Sequence, residues 1–169
     1  MKVTARHLEL AAANYFDYRQ KLIVPNVGYG LGLSYEADLI VVTKDKYLYE
    51  VEIKTTIADL KKDVIKKKFN TNGQYKIKKF FYLIPESLLK HKEKILDLIK
   101  PDAGLLVASY NNYSSKFEVS VVRVAWTNKY ALKISDDEYL HLCHLAAMRI
   151  WTLKEHLNRK EQLKIIKGG

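Results

Sequence analysis

Ten residues, YLYEVEIKTT at 47–56, constrain this chain more than any other stretch. Successive side chains of an extended strand point to opposite faces. The stretch therefore sets Tyr49, Val51 and Ile53 on one face and Glu50, Glu52 and Lys54 on the other. Aromatic and β-branched residues favour strands, which supports the extended reading. The first face asks for a core. The second carries charge, which costs free energy unless it is solvated, paired or put to use.

A partner strand lies just upstream. Residues 38–43 and 47–54 are both rich in β-formers, and Lys44, Asp45 and Lys46 make a short turn between them. Antiparallel pairing about that turn sets Asp38 roughly opposite Glu52. Two carboxylates held close repel unless a cation or proton intervenes. Mg²⁺ or Mn²⁺ takes oxygen ligands and keeps waters and phosphate oxygens in its shell. Asp38 and Glu52 are thus expected as metal ligands, with the peptide oxygen of Ile53 completing the protein's share. Lys54 lies one pleat further, ~7 Å along the same face. Its ammonium would position or polarise an attacking water and offset charge on a pentavalent phosphorus. The E-x-K tripeptide alone is common and equally describes a solvated strand face. The longer order is more specific: an aspartate after a turn, an apolar run, a hairpin, E-x-K, then a capped basic helix.

The rest of the chain reads as alternating helices and strands. Thr4 caps a first helix to about residue 19. KLIVPNVGYG is a strand in which Pro25 implies an edge or a bulge. Thr56 caps a helix over 57–68, with Asp59 three residues on. FNTNGQ is a loop, and KKFFYLIP is a strand stopped by Pro85. Ser87 caps a helix to about Ile99. AGLLVASY and FEVSVVRVAW are two further strands, and 135–164 is helical. The order αβββαβαββα predicts one α/β domain over residues 1–169, a mixed sheet flanked by helices with a C-terminal helical extension.

Net charge is +10, and it is unevenly placed. Residues 1–53 sum to −1, residues 54–100 to +8 and residues 101–169 to +3. The excess begins where the carboxylate strand ends, which favours a polyanion such as nucleic acid. Lys61, Lys62, Lys66 and Lys67 on the helix at 57–68, with Lys76, Lys78 and Lys79, are the expected phosphate contacts. Gln74 and Tyr75 would stand at the site's rim, while Phe80 and Tyr82 have the parity of core residues. Cys143 is the only cysteine, which excludes an internal disulfide and a thiolate zinc cluster. No apolar run reaches the ~20 residues of a membrane span, and the N-terminus has no signal-peptide pattern. A cytoplasmic protein is the default expectation.

EADLIVV…YEVEIKTT resembles the PD-(D/E)XK nuclease-like superfamily. The resemblance implies a restriction-endonuclease-like αβββαβ core and a Mg²⁺-dependent DNA nuclease. It maps the superfamily's acidic residue onto Asp38 and its (D/E)-x-K onto Glu52 and Lys54. The proline of the superfamily's name is absent, since Glu36 and Ala37 precede the aspartate. Members often add a glutamate from the first helix, here Glu9, which reads equally well as a solvated helix residue. Ala37 to about Ala108 is similar to the MmcB-like DNA-repair branch, which implies an association with DNA repair. The segment NTNGQYKIK and the long C-terminal helix depart from that branch.

GYGLG at 28–32 is a turn near the mouth of the site, not a phosphate loop. In HLCH at 141–144, Cys143 is core and both histidines lie on the helix surface. Glu52→Ala or Lys54→Ala abolishes cleavage while leaving folding nearly intact. A catalytically idle module that binds nucleic acid or a protein partner is the alternative function. A homodimer formed through the helix at 135–164 would suit duplex cutting.

Overall fold

The computed structural model describes residues 3–65 and 76–167. The elements are α1 (Ala5–Tyr15), β1 (Leu22–Val27), β2 (Ala37–Val42), β3 (Leu48–Ile53), α2 (Ile57–Ile65), β4 (Ile77–Pro85), α3 (Lys92–Leu98), β5 (Gly104–Asn111), β6 (Lys116–Arg123) and α4 (Asp136–Lys167). This is the αβββαβαββα order expected from the sequence. The protein is α/β, a six-stranded mixed sheet in the order β1-β2-β3-β4-β5-β6 with helices on its faces. β1, β2 and β3 are antiparallel, β3, β4 and β5 are parallel, and β6 returns antiparallel to β5. Each parallel step is made through a helix, α2 and then α3, as a crossover requires.

Local chemistry sets several boundaries. Thr4 accepts from the His7 amide at the start of α1. That helix stops at Tyr15, short of residue 19, because Asp17 takes a left-handed φ of 63°. β1 lies at the sheet edge, where Pro25 needs no ladder partner on its outer side. The hairpin turns on Lys46, with φ 61° and an amide donated to Thr43. Thr56 Oγ1 accepts from the Asp59 amide at 3.1 Å, capping α2. The helix expected from Ser87 is instead a 3-10 turn, Glu86–His91, entered from Pro85 without a side-chain cap. The α-helix proper begins only at Lys92. Ser135 and Glu138 cap α4 reciprocally.

The two faces of the sheet are covered differently. Under α1, Leu8, Ala11 and Ala12 pack on Leu39, Val41, Val51, Ile53, Phe81 and Leu83 in one continuous core. The other face carries two separate clusters. Leu142 and Leu145 of α4 cover Val24, Val27, Ile40 and Val42, while α2 and α3 bring Leu60 and Ile95 onto Tyr82, Ile84, Leu105 and Val107. The charged residues of β3 fall between these two clusters.

Candidate active site

The hairpin register pairs Leu39 with Val51 and Ile40 with Glu50. Carried one step further, it puts Asp38 opposite Glu52, as the count from the turn predicts. Asp38 Oδ2 accepts the Ile53 amide at 2.8 Å, which locks the strand ends together. The amide of Ile53 thus faces β2. Its carbonyl projects from the same strand edge, because an extended residue presents both groups to one neighbour. The amide of Lys54 donates to Leu83 at 3.0 Å, which keeps Lys54 extended and its side chain on the face of Glu52.

Lys54 Nζ stands 3.0 Å from Glu52 Oε2 and 3.9 Å from Asp38 Oδ2. The structure therefore brings Asp38, Glu52 and Lys54 into one cluster. Glu52 is fully buried and Lys54 is 5% exposed, whereas the Asp38 side chain is 35% exposed. Asp38 is the most exposed member of the cluster. This burial revises one expectation. Truncating either member of a buried pair strands the other charge, at ~3–5 kcal/mol. Glu52→Ala and Lys54→Ala therefore disturb folding as well as chemistry.

Glu50, also fully buried, extends the cluster along β3. The Tyr35 hydroxyl donates to Glu50 Oε2 at 2.7 Å. Burial first, then the adjacent Glu50 charge, pushes the Tyr35 pKa up. Tyr35 is thus a permanent hydrogen-bond donor. Glu52 lies beside Tyr82 of β4 in register, and Tyr82 is fully buried. Glu50 also lines a cavity of about 260 Å³, walled by Phe80, Lys78, Lys79, Lys100 and Trp126 near the start of β4. Burial lowers the Lys100 pKa and nearby Asp102 opposes the shift.

Sequence reasoning did not single out Tyr35, Lys100 or Trp126, and it read Tyr82 as core only. The parity of Tyr82, alternate with Phe81 and Leu83, was the available signal for its place on the carboxylate face. Lys100 and Trp126 lie at loop ends that meet only through the sheet order.

Glu9 is not brought into this cluster by its helix. α1 covers the opposite face of the sheet. Half-burial raises the Glu9 pKa, with Arg6 pulling it down. Lys61 and Lys62 are exposed on α2. Lys66, Lys67, Gln74 and Tyr75 lie outside the described residues. Lys76 is mostly buried and paired with Glu138, so it ties β4 to α4 rather than presenting a phosphate contact. Lys78 lies over the Tyr47 ring at 3.2 Å and Lys79 over the Tyr49 ring at 5.7 Å. Gly30 packs on the His141 ring so closely that a Cβ would collide with it, and its φ is +89°. The GYGLG turn is therefore seated on α4. His141 is partly buried there, against the Tyr29 ring, and Leu142, not Cys143, is the fully buried residue of HLCH.

The donor set is one of hard oxygens. Among the described residues, no group of three or more His, Cys, Asp or Glu side chains is placed to hold a metal ion. Asp38 and Glu52 would hold one as a pair, and Mg²⁺ sites commonly use one or two carboxylates, with water and phosphate filling the rest. The residues present fit that group.

Comparison with known proteins gives a fold and no activity. Protein-family models give no match to the sequence, and a search of curated proteins gives none at a significant level. One solved structure is similar over 95% of this chain and 96% of its own, with a TM-score of 0.59 and 13% identity. It is the SPO1766 protein of unknown function from Silicibacter pomeroyi. Among the described residues, no helix is long and apolar enough to cross a membrane.

Proposed function

We propose that this protein is a metal-dependent nuclease that hydrolyses phosphodiester bonds of DNA, in repair or processing in the cytoplasm, on the PD-(D/E)XK plan its sequence resembles. One observation carries the reading. A single ammonium, Lys54 Nζ, stands 3.0 Å from Glu52 and 3.9 Å from Asp38 at the end of β3, so the aspartate and E-x-K of the motif form one cluster. Asp38 and Glu52 would hold Mg²⁺ or Mn²⁺, with the Ile53 carbonyl on the same edge. When bound, the ion supplies Lewis-acid stabilisation and a more acidic water. Lys54 donates to the attacking water and offsets charge developing on the phosphoryl oxygens. Tyr35 holds Glu50 in place behind them. Exposed Lys61 and Lys62 engage the DNA backbone.

The test is cleavage of single-stranded, duplex and branched DNA with Mg²⁺ or Mn²⁺, comparing the wild type with the near-isosteric Asp38→Asn and Glu52→Gln. Loss of one such group is expected to slow cleavage by ~10²-fold or more, with thermal melts confirming that the variants fold. Unchanged cleavage in Glu52→Gln refutes the site. A second reading, an idle module that binds nucleic acid, is favoured by the complete enclosure of Glu52. It predicts DNA binding without turnover under either metal.

A further inference from the structure

The proposed chemistry leaves one feature of the carboxylate face unused. This is the cavity of about 260 Å³ whose lining includes Glu50, Phe80, Lys100, Trp126 and Asn128. Glu50 and Glu52 alternate along β3, so the cavity begins ~7 Å from the candidate metal ligand. One wall is a stretch of irregular backbone that follows β6. Three hydrogen bonds fix it to the starts of β4 and β5. The Trp126 amide donates to the Asp102 carbonyl at 2.9 Å, and the Asn128 amide to the Lys78 carbonyl at 2.9 Å. The Asn128 side chain donates to the Ile77 carbonyl at 3.3 Å. Ala125 and Ala131 anchor the stretch as buried residues, yet Trp126 between them is 70% exposed. A large ring left in water on a fixed backbone covers little core. It offers a platform on which a flat ligand stacks. The lining also sets three lysines, Lys78, Lys79 and Lys100, against two carboxylates, Glu50 and Asp102. Burial disfavours the charge of Lys100, and an arriving phosphate would favour it again.

We propose that this cavity takes a single unpaired nucleotide, whose base stacks on Trp126 and whose phosphate meets Lys100. The assignment rests on the reading of this protein as one that acts on DNA, and it names the substrate class. One pleat separates Glu50 from Glu52, so a nucleotide seated here neighbours the one whose phosphate reaches Asp38 and Glu52. The preferred strand is therefore unpaired beside the scissile bond, as in single strands, flaps and bulges. The cavity is smaller than the ~300–1,000 Å³ of pockets for drug-sized ligands, which suits one base and excludes a stacked run. A base within a duplex has both faces covered by its neighbours, and extruding it costs unstacking and unpairing. Every base has a π-face, so stacking on Trp126 selects for strand state and not for sequence.

The experiment is fluorescence titration of the full chain with a 5′-phosphorylated thymidine dinucleotide, without metal so that nothing is cleaved. Trp151, the second tryptophan, is exposed on α4, and Trp151→Phe leaves the signal to Trp126 alone. The expected result is saturable quenching that inorganic phosphate and an abasic analogue do not produce at the same concentrations. By calorimetry, Trp126→Ala is expected to bind the dinucleotide about tenfold more weakly. The residue is exposed, so the variant is expected to fold, and a thermal melt checks it. In gel shifts the same variant should lose affinity for a single-stranded oligonucleotide and keep it for duplex. Absence of quenching overturns the proposal. So does equal quenching by phosphate or the abasic analogue, or unchanged dinucleotide affinity in Trp126→Ala. The readout needs no turnover, which separates it from the nuclease reading. Quenching without cleavage under either metal supports the pocket and overturns the nuclease. Cleavage that requires Glu52, without quenching, does the reverse.

Discussion

On one face of β3, Val51 and Ile53 are buried beneath α1 among Leu8, Leu39 and Leu83. On the other, Glu50, Glu52 and Lys54 are as completely buried, in the interval between the cluster under α4 and the cluster under α2 and α3. The same six-residue strand thus closes two faces by different means. Apolar burial is non-directional and scales with area. Burial of charge is conditional on each partner, because a stranded ion has no water to return to. The apolar face fixes where the strand lies. The charged face is held by named partners, Lys54 for Glu52 and Tyr35 for Glu50, and Lys54 is what links Glu52 to Asp38.

The largest effect should come from breaking the charged face alone. Lys54→Ala is expected to cost ~3–5 kcal/mol in urea unfolding by leaving Glu52 enclosed without its ammonium. Replacing the pair together, Glu52→Leu with Lys54→Met, should recover most of that loss and can be neutral. If Lys54→Ala costs no more than an exposed substitution, pairing is not what holds this face. The matching test on the apolar face is Val51→Ala, expected to cost about 2–3 kcal/mol from lost methyl burial and a residual cavity. No second substitution on the opposite strand should be able to rescue it by charge. Tyr35→Phe comes next. It removes the 2.7 Å donor to Glu50, and hydrogen bonds to charged groups contribute ~1.5–3 kcal/mol. A melt unchanged by that substitution would mean that Glu50 is held by other neighbours.

These differences explain what the sequence disclosed. Alternation at 49–54 assigned each residue of β3 to its face, and the three-residue turn at Lys44–Lys46 fixed the register that brings Asp38 to Glu52. Both are local rules of strands and hairpins. Alternation does not report whether a charged face is solvated. That depends on α2, α3 and α4 flanking the strand, elements up to a hundred residues away in sequence. For this reason the burial of Glu52 and Lys54 was not legible, nor was the insertion of Tyr35. Lys76 misled for the same reason, since its partner Glu138 is supplied by α4. Glu9 is expected at the site only through the resemblance to the superfamily's first helix, whereas Leu8, Ala11 and Ala12 tie that helix to the opposite face.

The smallest effect on stability belongs to the lysines that burial leaves alone, and it sharpens the contrast with Lys54. Lys61 and Lys62 are exposed on α2, one turn past the Thr56 cap. Their ammoniums are already hydrated, so Lys61→Ala with Lys62→Ala should shift unfolding by no more than ~0.5 kcal/mol per site. Their effect should appear in DNA binding instead. Each phosphate contact releases counterions, and the slope of log K against log salt is ~0.9 per contact on duplex DNA. The double variant should therefore bind more weakly at low salt and show a slope shallower by ~2. Unchanged slope and affinity would remove α2 from the proposed DNA contacts and leave Lys78 and Lys79, which line the same cavity as Glu50, as the cations to test.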